Sequence, residues 1–260
     1  MKSYTHSTNA KTLDSVHNAM RILKSYSSGL PVKKVMELSR ELNLDKSSVS
    51  RIIATLKIEG FIEKDKYSSG YKLGPAALTL GNAYKFSHEL YNESKPVLKR
   101  LVDAIGETAQ LAILDDSFEV FFIESIECKH PLRFMTTPGS RSPIYCSSSG
   151  KVLLAFRNDD HLIDEVIRFG LTPWTSHTIT NEQVFREEMV KIRTQGYGVS
   201  MEEKYEGVIA AAAPVFNKKG DVIAAINIVG PSSRINKDKL NLGIRYLVSA
   251  ANEISKSFLY

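Results

Sequence analysis

Along the first quarter of the chain, apolar positions recur at steps of three and four, the period of helices with one buried face. Val16, Ala19, Met20, Ile22 and Leu23 form one stripe and predict a helix near 14–27, with Asp14 as its N-cap and Gly29 as its stop. Pro31 suits the start of a second helix near 32–42, which buries Val35, Met36, Leu38 and Leu42. Asn43-Leu44-Asp45 reads as a tight turn, because Asn tolerates the left-handed backbone and Asp45 or Ser47 can cap the next helix. That third helix runs to about Glu59 with Val49, Ile52, Ile53, Leu56 and Ile58 on its apolar side, and Gly60 closes it. Short strands at 61–64 and 71–73 flank a loop of Lys66, Tyr67, Ser68, Ser69 and Gly70. Gly74-Pro75 marks a boundary, and a connecting helix is predicted near 76–88.

Beyond residue 90 the pattern becomes mixed. A helix at 91–105 precedes strands at 108–114 and 119–126, a third extended piece at 132–137, and a loop, 139–151, that opens into a helix at 150–157. Helices at 160–169 and from a Thr180–Gln183 capping box to Gly196 come next, then strands at 197–200, 208–216 and 221–229. Leu240, Ile244, Leu247, Ala251, Ile254 and Phe258 alternate steps of four and three, which predicts a long final helix, 236–258, packed on a sheet. Hairpin-joined strands with helices beside them indicate an α+β chain in two domains: 1–74, a linker helix 75–89, and 90–260.

Charge divides along the same line. Residues 1–74 hold 13 Lys+Arg against 7 Asp+Glu, and residues 75–260 hold 21 against 22. All the excess positive charge therefore sits beside the two helices and turn, which favours a polyanionic partner for that part. The non-apolar side of the third helix carries Lys46, Ser47, Ser48, Ser50, Arg51 and Thr55, small or basic side chains that suit a major groove. Arg51 is the candidate base reader, because its fork matches guanine O6 and N7. The hairpin reads as a wing whose Lys64, Lys66 and Lys72 reach phosphates, with Lys33 as a further phosphate contact. The expected partner is a double-stranded DNA operator.

No apolar run is long enough to span a bilayer, and MKSYTHSTNAKTL lacks the apolar stretch of a secretory signal. With two cysteines, a cytoplasmic chain with reduced thiols is expected. The segment Tyr145-Cys146-Ser147-Ser148-Ser149-Gly150 leads into a helix start, where backbone N–H groups and serine hydroxyls can hold a small carboxylate. The alternative is that these serines only cap their own helix.

Several ordered blocks resemble the IclR (isocitrate lyase regulator) family of bacterial transcription factors. They include SVHNAMRIL (15–23), LDKSSVSRIIATLKIEGFIEKD (44–65), GYKLGPAALTLG (70–81), PLRFMTTPGSRSPIYCSSSGKVLLAF (131–156), GYGVSMEEKYEGV (196–208) and AAPVFNKKGDVIAAINIVGPSSRI (212–235). The resemblance implies a winged helix-turn-helix joined to a GAF-like α/β effector-binding domain. It further implies a homodimer or dimer of dimers whose repression or activation is controlled by a small metabolite; two reading heads call for a palindromic operator, and the function expected is repression of a catabolic operon under control of a small organic acid. The family's pocket positions correspond here to Phe134, Ser147, Ser148, Ser149, Ser200, Ala210, Asn227 and Val229, to which the loop itself adds Tyr145 and Gly150. Many relatives carry a cysteine at Ala210, an acidic residue at Tyr205 and, in some, an aspartate at Ser200, so the pocket is expected to be less polar on that side.

Two other function classes compete. A Cys146- or serine-dependent hydrolase lacks a G-x-S-x-G elbow and any recognisable histidine pairing, so no enzyme is expected. An architectural DNA binder without effector control would leave a domain of net charge −1 with little electrostatic role. No cofactor is expected. Cys128, His130 and Cys146 make only a weak zinc set.

Overall fold

The computed structural model describes residues 12–27, 30–115, 117–157 and 159–258. Gly29, the expected stop of the first helix, lies outside them. Contacts divide the chain into two units that meet in sequence at His88 and Glu89.

In the N-terminal unit, α1 (Asp14–Lys24) continues into a 3-10 turn, Ser25–Ser27, and is followed by α2 (Val35–Leu42) and α3 (Lys46–Ile58). Leu13, not Asp14, occupies the N-cap of α1, and Asp14 lies in its first turn, where a carboxylate favours the helix dipole. Asn43 adopts φ 50° at the end of α2, the left-handed turn its amide side chain tolerates. Ile22, Tyr26, Leu38, Val49, Ile53, Leu56 and Ile62 form the core. Met36 and Ile58 do not join it: both are exposed, because each lies off the face on which Leu38 and Ile53 are buried. Strands β1 (Ile62–Lys64) and β2 (Tyr71–Leu73) pair antiparallel, with Glu63 opposite Lys72. Lys33 adds a backbone bridge to Tyr71. Then α4 (Pro75–Ser87) ends the unit with Pro75 in its first turn and no buried residue.

The C-terminal unit starts with α5 (Glu89–Ile105) and builds one six-stranded sheet in the order β5-β4-β3-β8-β7-β6, all neighbours antiparallel. The strands are β3 (Thr108–Leu114), β4 (Val120–Ile126), β5 (Arg141–Ser142), β6 (Gly198–Met201), β7 (Val208–Phe216) and β8 (Val222–Pro231). Alternation along the central strands feeds two cores. Ala109, Leu111, Ala211, Ala213, Ile226 and Ile228 pack with α5 and with α9 (Lys237–Ser257). Ala212 and Ala225 pack with α6 (Ser148–Phe156), α7 (Asp160–Phe169) and α8 (Glu182–Gln195).

Two local expectations change. The 132–137 segment is not a strand; β3 side chains hold it instead, with Thr108 Oγ1 donating to the Phe134 carbonyl at 3.0 Å and Gln110 Nε2 to Thr136 Oγ1 at 2.6 Å. The helix after Gln183's box is capped by Asn181, whose side chain accepts from the Val184 N–H at 3.0 Å.

Candidate functional site

The sequence points to two surfaces, and the structure places each within one unit. On α3, burial of Val49, Ile53 and Leu56 turns the opposite side outward, exposing Lys46, Ser47, Ser50, Arg51 and Thr55 and leaving Ser48 half-buried. Thr55 Oγ1 donates to the Arg51 carbonyl at 3.2 Å, so its hydroxyl is partly satisfied by its own helix. Lys64 and Lys66 are exposed on the hairpin. Lys72 Nζ lies 3.1 Å from Glu63 Oε1, and that hydrogen bond raises the lysine's pKa.

Lys33 departs from its expected place. Its Nζ donates to the Ser25 carbonyl at 2.7 Å and to both Glu41 oxygens at 2.8 and 2.7 Å, and its side chain is 7% exposed. The ammonium thus ties the 3-10 turn to α2 inside the unit, and it is not offered to a phosphate.

In the C-terminal unit a cavity of about 320 Å³ opens between the cavity-side face of the sheet, the 134–148 segment and the β6–β7 connection. Strand register gathers its floor. Gln110 of β3 stands opposite Asn227 of β8, Val229 opposite Ala210 of β7, and Ala210 opposite Ser200 of β6. Of the expected positions, Phe134, Ser147, Ser148, Ser200, Ala210, Asn227 and Val229 line it.

Tyr145, Ser149 and Gly150 do not line the cavity. Tyr145 turns away: its hydroxyl donates to the Thr172 carbonyl at 2.8 Å and accepts from Trp174 Nε1 at 2.9 Å. Ser149 is fully buried behind Asn227 and accepts from its Nδ2 at 2.8 Å. Gly150 serves packing, since a Cβ there would lie 2.2 Å from the Ile144 carbonyl oxygen. Ser147 does cap its own helix, accepting from the Gly150 N–H at 3.2 Å, which starts α6 earlier than the sequence predicts. Ser148 Oγ and Asn227 Oδ1 are buried without a hydrogen-bond partner among the described residues.

Sequence reasoning missed Gln110, Thr136, Arg141, Ser142 and Lys204, all on the cavity wall. Gln110 carried a signal, as a polar residue inside the apolar run 109–114. Arg141 is compensated: its Nε lies 2.8 Å from Asp115 Oδ2 and 3.5 Å from Glu119 Oε2. Lys204 is held differently, with Nζ donating to Ser142 Oγ at 3.0 Å and lying 4.8 Å from the centre of the Tyr205 ring. The Tyr205 ring is in turn 5.8 Å from that of Phe134. The wall expected to be less polar is therefore aromatic, with one ammonium set into it. Burial pushes the Cys146 thiol up to about 12, against the opposing charge of Lys204. Among the described residues no group of three or more His, Cys, Asp or Glu side chains comes together as a metal site, so Cys128, His130 and Cys146 do not form one.

A buried charge cluster stands behind the cavity. Lys151 Nζ donates to Glu203 Oε1 at 2.6 Å, Glu188 Oε1 at 2.9 Å and the Val199 carbonyl at 2.7 Å. It ties α6 to α8 and to the β6–β7 connection that carries Lys204 and Tyr205. Thr178 Oγ1, donating to the Glu203 carbonyl at 2.6 Å, holds the same connection from the other side.

Comparison with known proteins matches both units. Residues 15–66 match the IclR helix-turn-helix domain, and residues 82–256 match the C-terminal domain of the bacterial transcriptional regulator IclR. The HTH-type transcriptional regulator BhcR of Paracoccus denitrificans is 32% identical over 90% of this chain and 82% of its own length. The transcriptional repressor IclR of Escherichia coli is 28% identical over 85% and 81%. The crystal structure of a transcriptional regulator from Alicyclobacillus acidocaldarius superposes with a TM-score of 0.89 at 26% identity, covering 96% of this chain and 100% of that one. No helix among the described residues is long and apolar enough to cross a membrane.

Proposed function

Because this chain belongs to the IclR family of bacterial transcriptional regulators, we propose that it is a cytoplasmic repressor of a catabolic operon whose operator binding is set by a small carboxylate in the C-terminal cavity. The observation that carries the reading is the pairing of an outward α3 face bearing Lys46, Ser47, Ser50 and Arg51 with a partly enclosed cavity on a separate unit. The Escherichia coli relative, itself a repressor, supports the sign of regulation.

Two reading heads on a palindromic site need a homodimer or dimer of dimers, with half-sites one helical turn or a multiple apart. Support for self-association comes from α4, which exposes Leu78 and Leu80 and has no buried residue. In this reading Lys64 and Lys66 contact phosphates, Lys72 does so at the cost of its Glu63 partner, and Lys33 contacts none. This reading gives the chain no catalytic role; in support, burial shifts the Cys146 thiol away from the lowered pKa that a cysteine nucleophile needs.

The test starts from an operator selected out of random duplexes by the full-length protein. Arg51→Ala is expected to weaken binding to that operator by about 1–3 kcal/mol and to weaken binding to unselected DNA much less. Equal losses on both would remove Arg51 as a base reader and leave it a phosphate contact.

A further inference from the structure

We propose that the cavity's ligand is a hydroxy acid held at two ends, its carboxylate on Lys204 and its hydroxyl between Asn227 Oδ1, an acceptor, and the Ser148 hydroxyl, a donor. The inference rests on reading the cavity as the effector site and assigns that site a ligand class.

The anionic end follows from charge. Of the two cations on the wall, Arg141 already has two carboxylates within 3.5 Å. Lys204 has a hydroxyl, Ser142 Oγ, and the face of Tyr205, and among the described residues no carboxylate reaches salt-bridge distance of it. An ammonium facing a partly enclosed cavity gains more from a carboxylate than it does at an open surface, because screening by water is weaker there. Ser142, from the short strand β5, fixes where the ammonium points.

The other end follows from unmet hydrogen bonding. Asn227 lies in the centre of the sheet and is 4% exposed. Its Nδ2 is spent on Ser149, a residue outside the cavity wall, which leaves Oδ1 as the end of the amide available to the cavity. Among the described residues that oxygen and Ser148 Oγ have no partner, and a buried polar atom left unpaired costs roughly 1–3 kcal/mol. A carboxylate placed there could take the Ser148 hydroxyl as a donor but would set its oxygens against Asn227 Oδ1. A ligand O–H would instead donate to Oδ1 and accept from Ser148. Phe122, Phe134 and Tyr205 also line the cavity and suit an apolar or aromatic spacer.

Glycolate, 4-hydroxybutyrate and 4-hydroxyphenylacetate, each with its deoxy acid and its amide, would be titrated against the full-length protein by calorimetry. The expected result is that at least one hydroxy acid binds, with its deoxy and amide counterparts each at least about tenfold weaker. Lys204→Met should erase the preference for acid over amide, and Lys204→Arg should restore it. Circular dichroism of the ligand-free variants confirms that they are folded. Deoxy acids binding as tightly as hydroxy acids would overturn the hydroxyl end. Unchanged acid binding in Lys204→Met would overturn the carboxylate end. If no hydroxy acid binds while some other small acid does, the ligand class is wrong and the effector reading stands. If no small acid of any kind binds, both fall.

Discussion

Replacing Lys151 with alanine is expected to destabilise the C-terminal unit by about 3–5 kcal/mol, because it strands a buried carboxylate. The Lys151 side chain is 1% exposed and that of Glu203 6%. Among the described residues Glu203 Oε2 has no partner, and burial raises the pKa of this carboxyl even with the lysine beside it. Without the ammonium, Glu203 loses the cation that pairs with it, and the Val199 carbonyl and Glu188 lose a donor. Urea unfolding of the full chain, followed through the transition of the C-terminal unit, would measure the cost. A loss under about 1 kcal/mol would mean that water reaches the cluster and relieves it. The same substitution should loosen the β6–β7 connection next to Lys204, so ligand affinity should fall along with stability.

Gly150→Val should cost about 3 kcal/mol, the upper end of the usual penalty for overpacking. The added Cβ would meet the carbonyl oxygen, carbon and Cα of Ile144 at 2.2, 2.7 and 2.7 Å. These are backbone atoms, so relief requires the 144–150 turn to open. That turn sets Ser147 as the cap of α6 and places Ser148 on the cavity wall. The sequence suggests Gly150 as an effector contact, and the two roles separate cleanly. A packing role predicts a lower melting temperature before any ligand is added, whereas a contact role predicts unchanged stability and weaker binding.

The features legible in the sequence are mostly local. The period of Val49, Ile53 and Leu56 fixes which side of α3 faces out, and the left-handed tolerance of Asn43 fixes the turn before it. Both signals sit within one helix length. Lys33 is illegible in this way because its surroundings are assembled from Ser25, Glu41 and Tyr71, and nothing in its own neighbourhood says that its ammonium turns inward. The cavity divides along the same lines. Resemblance carries Ser148, Ser200 and Asn227 to the wall, but Gln110 reaches it only because β3 lies between β4 and β8 and puts Gln110 opposite Asn227. Lys204 looks like one more surface lysine in MEEKYEG until Ser142, far away in sequence, gives it a direction.

The most direct measurement is the affinity of the full-length protein for its selected operator, by fluorescence anisotropy at fixed salt, with and without a saturating small acid that raises its melting temperature. Coupling of about 1–3 kcal/mol between the two sites predicts a shift of roughly 5- to 150-fold in operator affinity. It also predicts, by reciprocity, an equal shift in acid affinity when operator is present. Saturating acid that leaves operator affinity unchanged would contradict control of the reading head by the cavity.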